Sequence, residues 1–90
     1  MARTITVPQP PQLDAPLDME TLGAFVRYKR STLGITLEDA AALCGLSKQA
    51  YNNIEKGVVT VRAETLFKAL DGLGIALTVA PQQEADDEWI

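Results

Sequence analysis

Apolar side chains recur at helical spacing in stretches of the chain that end at a glycine. In the clearest case Leu66, Leu70 and Leu73 share one stripe, and Gly74 follows them. Residues that can cap a helix stand at the opposite ends of these stretches: Asp18 or Thr21, Thr36 and Ser47. The pattern therefore predicts four helices, over about residues 20–33, 36–44, 47–57 and 61–73.

A different pattern follows the last helix, where large and small side chains alternate in "GIALTVAP". This period of two predicts a strand over residues 75–80 that Pro81 ends. A single strand is not stable by itself, so it needs a partner. Two partners are open: the β-branched "RTITV" near the N-terminus, or the same strand of a second chain.

The two ends of the chain lack helical patterns. Four prolines in "PQPPQLDAP" predict an extended or disordered arm over residues 1–19. Residues 81–90 are polar and acidic up to Trp89, and we expect them to be disordered when free. The helical domain then covers residues 20–74, with the strand at 75–80.

Composition limits the functions that fit this chain. Ninety residues make one small domain with tails. The absence of a long apolar run and of a secretory pattern, together with a lone Cys44, favours a cytoplasmic protein without a membrane anchor. There is no histidine, so the chain offers no metal-ligand set and no base-activated nucleophile. We expect no enzyme activity, no metal and no cofactor.

The net charge of -4 argues against nucleic acid until its distribution is considered. Residues 21–80 hold seven basic and five acidic side chains, whereas both ends are net acidic. A mildly basic centre is compatible with phosphate binding but does not establish it.

The second and third helices are separated only by "GLS", which is typical of a helix-turn-helix motif. Leu46, Tyr51 and Ile54 are expected to face the core. The polar side chains left outside are the candidates for contact with DNA bases: Lys48, Gln49, Asn52 and Asn53. Asn and Gln can bond adenine N6 and N7, and Lys can reach guanine O6 and N7.

The run "TLGAFVRYKRSTLGITLEDAAALCGLSKQAYNNIEKGVVTVRAETLFKALDGLG" resembles the Xre/Cro-type helix-turn-helix domain of bacterial and phage repressors. The resemblance implies a mainly α, four-helix, lambda-repressor-like fold, and it implies an ion pair between Arg30 and Glu55. Two positions depart from the pattern. Leu37 stands where a phosphate-holding Gln is common, and Ala40 stands where a Leu is common.

The strand, polar linker and terminal Trp resemble HipB-like antitoxins. This resemblance implies a homodimer whose chains pair through a C-terminal strand, and it implies a HipA-like serine/threonine kinase toxin as partner. The strand residues concerned are Ile75, Ala76, Leu77, Thr78 and Val79. Trp89 is a candidate anchor for the partner, since large aromatic side chains dominate binding hot spots, although it could also pack on its own domain.

These features favour a sequence-specific repressor that binds an inverted-repeat operator in double-stranded DNA. Together with the HipB-like resemblance, they favour an antitoxin that regulates its own operon and binds a HipA-like kinase toxin. Polar and basic side chains elsewhere are candidates for phosphate contact: Arg27, Lys29, Thr36, Ser47, Lys56 and Arg62. A stand-alone Xre-type regulator without a toxin is one alternative. A protein-interaction adaptor that has lost DNA binding is another, which Leu37 and the negative total charge favour slightly.

Overall fold

The computed structural model describes residues 7–81, and within them it contains four helices and no strand. The helices are α1 (Met19–Thr32), α2 (Leu37–Cys44), α3 (Lys48–Glu55) and α4 (Ala63–Gly72). The predicted four-helix architecture is confirmed. Two of the predicted helices were too long: α3 ends two residues before Gly57, and α4 begins two residues after Val61.

Short polar side chains start three of the helices. The carboxylate of Asp18 accepts a hydrogen bond of 2.8 Å from the amide of Thr21, which lowers the pKa of Asp18. The hydroxyl oxygens of Thr36 and Ser47 likewise accept bonds of 3.1 Å from amides three residues later. Each contact satisfies one of the amides that a helix start leaves without a partner.

The core lies around α3, which packs against the other three helices. Its Tyr51 and Ile54 are fully buried, and so is Val26 of α1. The remaining core residues come from α1, α2 and the end of α4: Leu22, Ala40, Ala41, Cys44, Ala69, Leu70 and Leu73. Burial of Tyr51 and Ile54 fixes which side of α3 is left facing solvent.

Helices α1 and α3 cross at very short range because Gly23 has no side chain. A Cβ atom at this position would lie 2.3 Å from the carbonyl oxygen of Ile54 and 2.9 Å from that of Glu55. Real Cβ atoms do not approach backbone this closely. Gly23 therefore sets the distance between α1 and the C-terminal end of α3.

Residues 75–80 follow α4 without regular secondary structure, and Ile75 still packs against the core. The amide of Ile75 still bonds the carbonyl oxygen of Leu70 at 2.8 Å, but within residues 7–81 the backbone of 76–80 makes no hydrogen bond. The predicted strand is thus not seen within residues 7–81, where no second backbone pairs with this segment. Most of "RTITV", and the acidic tail with Trp89, lie outside the described residues.

None of the helices found in residues 7–81 is long and apolar enough to cross a membrane.

Candidate nucleic-acid interface

The turn between α2 and α3 is held by backbone geometry. Gly45 adopts a left-handed conformation (φ 71°), which a residue with a side chain rarely takes, and its amide bonds the carbonyl of Ala42. The amide of Leu46 bonds the carbonyl of Ala41 at 2.9 Å, and the Leu46 side chain packs against the core. The chain then enters α3 at Ser47. This sequence of contacts fixes the angle between the two helices of the motif.

Four polar side chains form what we call the outer face of α3: Lys48, Gln49, Asn52 and Asn53. Lys48 and Gln49 are exposed in the first turn, whereas Asn52 and Asn53 are partly buried. The side-chain nitrogen Nε2 of Gln49 donates a hydrogen bond to the side-chain oxygen Oδ1 of Asn53 at 3.1 Å. Because Tyr51 and Ile54 hold the other side of the helix in the core, these four groups keep a fixed place on the surface.

An ion pair between Arg30 and Glu55 ties α1 to the end of α3. The guanidinium donates from Nε to Oε2 at 2.6 Å and from Nη2 to Oε1 at 3.1 Å, and Nη1 donates to the carbonyl of Ile35 at 3.1 Å. The two side chains are only 12% and 5% exposed. The hydrogen bonds to Glu55 raise the pKa of Arg30, which stabilises its charged form further.

The Tyr51 hydroxyl is buried close to this pair and has no hydrogen-bond partner in the part of the chain that the structure describes. Burial, and secondarily the nearby Glu55 carboxylate, raise the pKa of Tyr51. The phenol therefore stays neutral and acts as a packing group behind the outer face of α3.

A sequence model described as helix-turn-helix matches residues 26–79. The chain belongs to this helix-turn-helix family. The match begins within α1, contains all of α2, α3 and α4, and ends at residue 79, in the segment after α4. It identifies an Xre-type helix-turn-helix domain and thereby a DNA-binding transcription regulator. A comparison with curated proteins found no match.

In this helix-turn-helix domain the candidate phosphate contacts are spread over several elements. Arg27 is exposed on α1, Lys29 is partly buried in its last turn, and Lys56 is exposed just after α3. Arg62, exposed at the start of α4, lines a small cavity of about 140 Å³ together with Asn53. Basic charge at Arg62 therefore lies next to the outer face of α3.

Thr36 and Ser47 have a second capacity beside capping. Each hydroxyl oxygen accepts a helix amide, which leaves the hydroxyl hydrogen free to donate to a phosphate oxygen. Leu37, in contrast, is partly buried and packs against the core, so it cannot supply the hydrogen bond that a Gln would give. Ala40 beneath it is fully buried, as is Tyr51.

Glu38 was not among the site residues predicted from the sequence, although the structure places it beside the outer face of α3. Its Oε2 lies 3.6 Å from the Nζ of Lys48, across the turn between α2 and α3. The contact depends on the angle between two helices, which residue spacing alone does not give. The Gln49–Asn53 bond could have been found, because residues four apart in a helix are neighbours.

Cys44 lies in the core, where its thiol contacts the carbonyl oxygen of Ala69 at 3.6 Å. Burial raises the pKa of this thiol, so it stays protonated and acts as a small apolar residue.

Proposed function

We propose that this chain is a sequence-specific repressor that reads an inverted-repeat operator with α3, works as a homodimer, and is the antitoxin of a HipA-like kinase. The observation that carries the DNA-reading part is the outer face of α3. Four side chains able to bond base edges lie together at the exposed side of the second helix of the motif, where such domains enter the major groove. The proposal includes no catalytic step.

Base reading is tested by removing single side chains from the outer face of α3. Lys48→Ala and Gln49→Ala should each weaken binding to an operator selected from a random-sequence pool by about 1–3 kcal/mol. Lys68→Ala is the matched control for charge, because Lys68 is an exposed lysine on α4 that lines a different groove. Mobility-shift titrations measure all three variants.

If both α3 variants bind the operator as tightly as the wild type, α3 does not read this DNA. If Lys68→Ala weakens binding as much as Lys48→Ala does, the loss reflects total charge rather than a base contact. Unchanged thermal midpoints for the three variants would show that the comparison concerns binding and not folding.

The homodimer is supported by apolar side chains that are exposed in the part of the chain that the structure describes. Val79 is 98% exposed, and Phe67 and Leu77 line an open groove of about 590 Å³ beside α4. The backbone of 76–80 also makes no hydrogen bond within residues 7–81. Pairing of this segment with its copy in a second chain would satisfy the backbone and cover the apolar side chains.

Thr78→Pro should shift the protein from dimer to monomer, because proline removes one amide from the proposed strand pair. Thr78→Ala keeps that amide and serves as the control. Sedimentation velocity measures the shift. Operator affinity should fall with it, since a dimer presents two α3 helices to half-sites about 34 Å apart. A Thr78→Pro protein that sediments like Thr78→Ala would rule out dimerisation through this segment.

The antitoxin role rests on the likeness of the C-terminal layout to HipB-like proteins and on Trp89 within an acidic segment. An aromatic anchor flanked by acids suits a pocket with a basic rim on the kinase. Trp89→Ala should therefore weaken binding to a HipA-like kinase while leaving operator binding intact. Binding of operator without any affinity for such a kinase would leave the stand-alone regulator as the function.

A further inference from the structure

Lys48 is the basic residue on the outer face of α3, and a carboxylate accompanies it. Glu38 belongs to the first turn of α2 and Lys48 is the first residue of α3, so their 3.6 Å contact bridges the two helices of the motif on the outside. The other ion pair found within residues 7–81, Arg30–Glu55, is mostly buried, with side chains 12% and 5% exposed. The Lys48 and Glu38 side chains are 66% and 72% exposed, so DNA that approaches α3 meets both of them.

A lysine with a carboxylate beside it responds differently to the two kinds of acceptor that DNA offers. A phosphate brings a second negative charge next to Glu38, and the repulsion between them opposes the contact. The O6 and N7 atoms of guanine accept hydrogen bonds without a net charge. An ammonium group has three donors, so Lys48 can bond guanine and keep its contact with Glu38.

We propose that Glu38 is a specificity-determining residue of this interface: it prevents Lys48 from adding to phosphate binding and leaves it available to guanine. The inference rests on the proposed function, since it takes the outer face of α3 as the surface that reads DNA. Its consequence is a weaker affinity for DNA of random sequence with the affinity for the operator largely kept. The net charge of -4 also lowers the affinity for DNA of random sequence.

The test compares the salt dependence of binding to a random-sequence duplex. Each lysine or arginine that neutralises a phosphate makes the slope of log K against log salt about 0.9 more negative. Glu38→Gln frees Lys48, so its slope should become steeper by about that amount. At low salt its affinity for random DNA should rise about threefold to tenfold, while operator affinity changes less.

Two further variants isolate the ion pair. Asp39→Asn makes the same charge change in the same helical turn, and Asp39 forms no ion pair within residues 7–81. Its slope should stay near that of the wild type. The double variant Glu38→Gln with Lys48→Gln should return to the wild-type slope, because the freed cation is gone. Thermal midpoints should barely differ, since exposed pairs stabilise a fold little.

The outcomes separate this inference from the proposed function. If Lys48→Ala loses operator affinity while Glu38→Gln and Asp39→Asn share one salt slope, α3 reads DNA and Glu38 has no special role. If Lys48→Ala binds the operator as the wild type does, the base contact and the role of Glu38 are both wrong. A steeper slope in Glu38→Gln alone, reversed in the double variant, supports the inference.

Discussion

Arg30→Ala is expected to lower the free energy of unfolding by about 3–5 kcal/mol, because it leaves a buried carboxylate without its partner. Glu55 is 5% exposed and receives two hydrogen bonds from the guanidinium. The variant also removes the donor to the carbonyl of Ile35. For a domain of this size the thermal midpoint should fall by at least about 12 °C, which circular dichroism can measure.

Two companion variants identify the cause of that loss. Arg27→Ala removes an exposed arginine from the same helix and should change the midpoint little. The double variant Arg30→Met with Glu55→Met should regain much of the stability, because apolar side chains can replace a buried ion pair without leaving a charge. A midpoint for Arg30→Ala equal to that of Arg27→Ala would show that the pair contributes nothing to the fold.

Gly23→Ala should destabilise the domain by a net amount of about 2 kcal/mol or more, although alanine is the better helix former by about 1 kcal/mol. The added methyl group would overlap the carbonyl oxygens of Ile54 and Glu55, and a main chain cannot rotate away as a side chain does. Helix α3 must therefore shift away from α1. Operator affinity should fall even under conditions where the variant remains folded.

The free energy of unfolding of Gly23→Ala is measured by urea denaturation, with Ala24→Ser as the matched control. Ala24 is the next residue of α1 and is exposed, so one added atom there should change the stability by no more than about 0.5 kcal/mol. A Gly23→Ala protein that is more stable than the wild type would mean that the two helices tolerate a wider spacing.

The features that the sequence predicted well are those that depend on neighbours in the chain. The hydroxyl oxygens of Thr36 and Ser47 accept hydrogen bonds from amides only three residues later in the chain, so the sequence pattern was sufficient to find these two caps. The burial of Tyr51 and Ile54 followed from helical spacing and from the short turn before α3. Local chemistry thus gave the four helices and the composition of the outer face of α3.

The features that the sequence did not predict depend on how helices meet. A glycine inside a helical pattern does not say which backbone it faces, so the close crossing at Gly23 needed the fold. Glu38 and Lys48 are ten positions apart in different helices, and this separation gave no reason to pair them. The start of α4 was placed too early because Val61 is apolar and packs on the core from the loop before Arg62, where the backbone is extended.

The ion pair of Arg30 and Glu55 lies between these cases. The two residues are 25 positions apart, and only the family resemblance suggested that they meet. The C-terminal segment is different again, because its alternating pattern predicts a strand, and within residues 7–81 no strand is formed. A pattern of this kind predicts a capacity for pairing, but it does not identify the second backbone.

The hydrogen bond between Gln49 and Asn53 limits how this domain could acquire a new target. Tyr51 and Ile54 anchor α3 from behind, so substitutions on its outer face leave the scaffold intact. Asn52 can therefore change by itself, whereas a change at Lys48 also leaves Glu38 without its ion-pair partner. Gln49 and Asn53 orient each other, so a change at one position alters the geometry of the other. Under the proposed function, Gln49 and Asn53 would have to be exchanged together to change the operator that the protein recognises.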